Sequence, residues 1–328
     1  MQLFSQDRPN SHEGITEADV PLKGRYMKYS ALNEALKYVY GGPLLQLDHH
    51  RPSSSAGERT LANVERIEGA LSYIAAGVWL EMPIISARGV DVAGSLLHWD
   101  TIPTALDFAL DGGLHQMWAV DDGSEAAFSA ASSDDSIGRP EITGAPTYDP
   151  HSTAMLQRII DFTIHVFPPN FYLDSSAPQL ETCPRLPPLP QIPGHENRSS
   201  VSDPRLSQIR FGEIPTGPSY TTTMISSILL SLPFQLLKVI LEHFIFAARL
   251  GPETAASIMR QVVAERERRR TKAQQARTAG KISSGSDSQL LQNLYWEEVV
   301  EPSAQHKVGF RLARRRKGID TPLSSGPE

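Results

Sequence analysis

The chain has 328 residues, 40% of them hydrophobic and 7% aromatic, interrupted by 25 prolines and 23 glycines; this suits one domain with long irregular segments better than a uniformly compact enzyme or a wholly disordered chain. One cysteine, Cys183, excludes an intramolecular disulfide, a Cys-based zinc site and a Cys-x-x-Cys redox pair, and fits a reducing compartment, cytoplasmic or nuclear. The net charge of −6 conceals an acidic front and a basic back: residues 1–210 hold 15 Lys/Arg against 26 Asp/Glu, and residues 211–328 hold 16 against 11.

Residues 1–28 are polar and aperiodic, without the apolar run of a secretory signal or an arginine-rich transit pattern, so a poorly ordered leader is expected. Residues 29–114 read as a helical cluster. From Ser30 as N-cap, Leu32, Ala35, Leu36, Val39 and Tyr40 share one helical face until Gly41-Gly42-Pro43 ends the helix. A polar loop with Asp48-His49-His50 and Ser53-Ser54-Ser55 follows. Thr60 then caps a second helix with the stripe Val64, Ile67, Leu71, Ile74 and Val78. Met82-Pro83 opens a third through Ile85, Val92 and Leu96, and Thr101-Ile102-Pro103 opens a fourth through Leu106, Ala109 and Leu110. Short connections make these helices one compact unit.

Residues 115–150, with Asp121-Asp122-Gly123-Ser124 and Ser132-Ser133-Asp134-Asp135, read as an acidic loop. A helix over 151–167 carries Met155, Ile159, Phe162 and Val166 on its apolar face, and Pro168-Pro169 stops it. Residues 168–218 hold 11 of the 25 prolines. Pro184, Pro187, Pro190 and Pro193 recur at every third position, which in a polyproline II segment lines one ridge. The segment reads as a semi-rigid linker or as a docking motif for an SH3 or WW groove, although Arg185 is not placed to orient such a motif.

Residues 219–278 read as a helical region. Met224 to Leu237 is its most apolar part, and no charge occurs between Glu213 and Lys238. Pro215, Gly217, Pro218 and three threonines dilute the stretch, so a buried hairpin or kinked helix is expected in place of a membrane span, with membrane association the alternative. A long helix begins near Glu253 and packs through Ala255, Ile258, Met259 and Val262. Its second half, with Arg266, Arg268, Arg269, Arg270, Lys272 and Arg277, is charged all round and is expected to project into solvent. In residues 279–328 the alternation through Val308-Gly309-Phe310-Arg311-Leu312 predicts a strand paired with Tyr295 to Val300. After Arg314-Arg315-Arg316-Lys317 the chain ends in Pro, Ser and Gly, and a basic disordered tail is expected there.

Motifs for chemistry are missing from this reading. Gly280-Lys281 lacks the upstream glycine of a phosphate-binding loop, and neither Gly-x-Gly-x-x-Gly nor Gly-x-Ser-x-Gly occurs. His49 and His50 lack a ligand spacing and read as solvated loop histidines. Cys183 has no neighbouring base to stabilise a thiolate. Asn197-Arg198-Ser199 fits a glycosylation sequon that stays silent without a secretory signal. No catalytic, metal-ligating or cofactor-binding residue is assigned, and a non-enzymatic chain without cofactor is expected.

The phrase Ala31-Leu32-Asn33-Glu34-Ala35-Leu36-Lys37-Tyr38-Val39-Tyr40-Gly41-Gly42 resembles a segment of the BTB/POZ domain in which a helix ends in an aromatic-rich phrase and a small residue. Glu68 to Gly77, Leu80-Glu81-Met82-Pro83 and Ile84 to Val90 are similar to that domain's next helix pair. The blocks Asp203 to Gly212 and Asn293 to Glu298 resemble extensions of large BTB/POZ-containing proteins of filamentous fungi. Only residues 29–98 correspond to the domain. Its N-terminal half, several strands and a helical hairpin, has no counterpart before Tyr29, so homodimerisation of the family type is not expected.

The fold class expected is therefore mainly α: a helical cluster resembling the C-terminal half of a BTB/POZ domain, further helices, a small C-terminal hairpin and long disordered loops. The resemblance implies a protein-interaction scaffold or adaptor whose partners are other proteins, with a link to a cullin-type ubiquitin ligase. The alternative is a nuclear regulator that meets nucleic acid or another polyanion through Arg266, Arg268, Arg269, Arg270, Lys272, Arg314, Arg315, Arg316 and Lys317. Those residues lack the aromatic interleaving and the helix-turn-helix grammar that base reading needs.

Overall fold

The computed structural model describes residues 24–46, 56–110, 150–188, 218–281, 288–303, 306 and 308–317. Most of the leader, the His49-His50 pair, residues 115–149, Pro190, Pro193, the sequon at 197–199, the block 203–212 and everything after Lys317 lie outside the described residues. Within them the protein is mainly helical, with ten helices and one two-stranded antiparallel hairpin.

Helix α1 (Tyr29–Val39) buries Ala31, Leu32 and Ala35, and its N-cap is Lys28, so Ser30 lies inside the first turn instead of capping it. Helix α2 (Ala56–Trp79) likewise starts four residues ahead of Thr60 and buries Ile67, Leu71 and Ile74 from the expected stripe. Helix α3 (Pro83–Ser95) begins at its proline, which gives up no needed donor at a first helical position.

The α2–α3 corner closes by bonds from Glu81 N–H to Val78 O (3.1 Å) and from Met82 N–H to Gly77 O (2.8 Å). Glu81 sits there at φ 56, a left-handed position that glycine usually fills. Glu81→Gly is expected to stabilise the protein by about 1 kcal/mol, seen as a thermal midpoint about 2–4 °C higher. An unchanged or lower midpoint contradicts this.

Two glycines set how closely α2 and α3 cross. A Cβ on Gly77 would collide with Ser86 Oγ and lie 2.5 Å from Ser86 N, and one on Gly89 would lie 2.6 Å from Ile74 Cγ1. Helix α4 (Ile102–Leu110) is entered through Thr101, whose Oγ1 accepts the His98 N–H at 2.8 Å. Helix α5 (His151–Val166) packs on α3 and α4. After it, Phe167 stands edge-on to Phe171 and Phe246, with centroids 5.0 and 4.9 Å apart.

The apolar stretch forms two core helices, α6 (Tyr220–Ser231) and α7 (Phe234–Leu241), split at Pro233 as expected of a kinked helix. Helix α8 (Phe244–Leu250) follows, and its Arg249 donates to Ile164 O at the end of α5 (2.6 Å). Helix α9 (Pro252–Thr278) buries Ala255, Ile258, Met259 and Val262 as predicted. A short α10 (Ser288–Gln292) leads to β1 (Trp296–Pro302), paired with β2 (Phe310–Arg316) in the register Val299 opposite Ala313.

One cluster of buried apolar side chains runs from Tyr26 to Leu312, so segments that composition separates share a core. A smaller cluster, Leu32, Ala35, Tyr73, Ala76 and Ile85, lies beneath α1.

Two expectations need correction. The second half of α9 does not project into solvent: Arg266, Arg270 and Ala273 are buried. Residues 168–188 are packed chain and not linker, with Phe171, Ala177, Leu180, Cys183 and Leu186 buried. Irregular backbone can be buried here because side chains satisfy it. The hydroxyls of Ser226 and Ser231 accept the N–H groups of Asp174 (2.9 Å) and Leu180 (2.8 Å), and Gln179 Oε1 accepts those of Arg185 (3.2 Å) and Leu186 (3.0 Å).

Candidate functional site

Pro233 has no N–H to offer the carbonyl of Leu229 four residues earlier, so α6 ends with bare acceptors inside the core. Arg266 supplies what the proline withholds. Its Nη1 donates to Leu229 O (2.9 Å), Leu232 O (2.9 Å) and Leu230 O (3.3 Å). The other edge of the same guanidinium grips Glu298 twice, Nε to Oε2 at 2.7 Å and Nη2 to Oε1 at 3.0 Å. Arg185 Nη2 donates to Glu298 Oε1 at 2.9 Å, and all three side chains are almost wholly removed from solvent.

The network continues outward. Glu267 Oε1 accepts the Glu298 backbone N–H (2.9 Å) and its Oε2 pairs with Arg270 Nε (2.7 Å), while Arg270 Nη1 donates to Leu294 O (2.9 Å). Burial pushes the Glu298 carboxyl upward, but the charges of Arg185 and Arg266 outweigh it and hold the group far below the usual glutamate range. Burial, with the Arg266 charge beside it, brings Arg185 down to about 10, still charged at neutral pH.

The predicted basic contacts therefore divide. Arg266 and Arg270 are structural, and Arg269 pairs with Glu265 (2.7 Å) and donates to Ser175 O and Ala177 O at 2.9 and 2.7 Å. Arg268 reaches solvent yet also pairs with Glu265 (2.7 Å); Lys272 is exposed. Arg314, Arg315 and Arg316 lie in β2. Arg314 stacks over Trp296 and Phe234 (5.3 and 5.6 Å to the ring centroids) and donates to Asn293 Oδ1 at 2.6 Å. Arg315 pairs with Glu301, and Arg316 and Lys317 are exposed. Of the proline ridge, Pro187 is buried and Pro184 half-buried, so these two do not form an open docking face.

Sequence reading missed Glu298. Its signal was the strand alternation itself, which puts Glu298 on the same face as Trp296 and Val300, an inward place for a charge.

Cys183 is buried beside Ser231, and burial pushes its thiol up to about 12. The native protein is expected to leave a thiol-specific disulfide reagent unconsumed at neutral pH and to react with one equivalent after denaturation. Rapid reaction of the folded chain contradicts this.

A second feature lies on the opposite side of the chemistry. Between α1, α2 and α3 is a cavity of about 190 Å³, open to solvent on one side and lined among others by Ala31, Glu34, Arg66, Gly69 and Tyr73. Leu45 N–H donates to Tyr73 Oη (3.4 Å), and Arg88 Nε donates to Leu45 O (2.8 Å), which holds the chain after α1 across one end. Lys28 and Glu68 pair at 2.6 Å across the start of α1. The outward side of α1 leaves Tyr29 and Tyr40 77% and 88% exposed, with Val39 also in solvent.

Among the described residues no three His, Cys, Asp or Glu side chains are grouped to hold a metal ion, and no helix is long and apolar enough to cross a membrane. No protein-family model, curated protein or solved structure matches the chain.

Proposed function

We propose that the chain is a non-enzymatic protein-interaction scaffold of the cytoplasm or nucleus, with its contact surface on α1 and the α2–α3 pair beneath it. The observation that carries this reading is the division of labour between the two regions just described. Arg266 and Arg270 of α9 and Glu298 of the hairpin are spent on internal carbonyls and charge partners, while Arg268, Lys272, Arg316 and Lys317 reach solvent; Tyr29 and Tyr40 stand exposed at the two ends of α1, whose Ala31 and Glu34 line an open, apolar-floored cavity. Tyrosine is favoured at protein contacts because it brings large, stiff area and one polar tip. The segments that resemble a BTB/POZ domain form the consecutive helices α1, α2 and α3, which supports an adaptor role. The cullin-ligase link rests on the resemblance alone. The polyanion reading is weakened because Arg266, Arg270 and Arg314 are committed inside the fold.

Affinity capture with the full chain and with a Tyr29→Ala/Tyr40→Ala variant, read by quantitative mass spectrometry, tests the proposal. Protein partners enriched by the wild type and reduced at least several-fold by the variant are expected. Retention on heparin lost with salt, and no protein enriched by the wild type, would reverse the choice.

A further inference from the structure

We draw no further inference here: the strongest candidate, the basic surface patch of Lys281, Arg316 and Lys317 beside the Arg277–Tyr295 contact at the end of α9, carries nothing because nothing in the structure shows what covers it.

Discussion

Glu298→Gln is expected to lower stability by about 3–5 kcal/mol, read as a fall in the urea midpoint of the far-UV circular dichroism signal. The substitution keeps the shape of the side chain but leaves Arg185 and Arg266 facing each other in the interior without their shared counter-charge. A domain commonly has only about 5–15 kcal/mol to lose, so the variant approaches the edge of folding. Glu301→Gln is the control. Its arginine partners, Arg315 exposed and Arg311 half-exposed, keep access to water, and its midpoint is expected to move far less. Equal shifts for the two variants would remove the buried network as a determinant of stability.

The same carboxylate sets an acid limit. Its folded-state pKa is depressed, so the unfolded chain takes up protons first as pH falls. The stabilisation is complete above the ordinary glutamate value of 4.5 and is lost as pH drops from there toward the lowered value. Asp174 and Glu265 shift in the same direction: burial opposes the shift, but hydrogen bonds from Ser176 and Thr223 and from Arg268 and Arg269 prevail. Stability measured from pH 7 to pH 3 is expected to be flat and then to fall below about 4.5. In Glu298→Gln the acid limb is shallower, and an unchanged limb would assign it elsewhere.

Gly77→Val is expected to cost about 3 kcal/mol, because the new side chain forces apart two helices whose separation Gly77 and Gly89 set. Helix propensity alone predicts the opposite sign, since every residue but proline is better than glycine within a helix. Gly69→Ala lies in the same helix and, meeting no atom, is expected to gain about 1 kcal/mol. Thermal unfolding of the pair separates close approach from propensity. Two upward shifts would show that α2 and α3 are free to part.

Periodicity exposed helices that bury one stripe: in α2, Ile67, Leu71 and Ile74 lie at helical spacing and all reach the core. Pro83 and Pro168 marked breaks through a missing donor, which is local chemistry that a single sequence carries. Helix starts were less legible. Ser30 and Thr60 have the right side chains for caps, yet neither first turn uses them. Residues 168–188 carry no helix or strand period that would announce burial, since their burial depends on the distant hydroxyls of Ser226 and Ser231.

The arginines of α9 show the same limit. A guanidinium looks alike in sequence whether it faces water or a carbonyl, and only the arrival of β1 beside α9 distinguishes Arg266 from Arg268. The cavity could not be foreseen either, because it depends on how α1, α2 and α3 pack together.

Arg185 and Glu298 are 113 positions apart, which has a bearing on biosynthesis. A nascent chain leaves the ribosome with both guanidiniums made and their counter-ion still untranslated. The carbonyls stranded by Pro233 wait in the same way for Arg266. Completion of this part of the interior therefore waits until the strand carrying Glu298 has been made, and a product stalled before Trp296 is expected to hold Arg185 and Arg266 without their shared counter-charge.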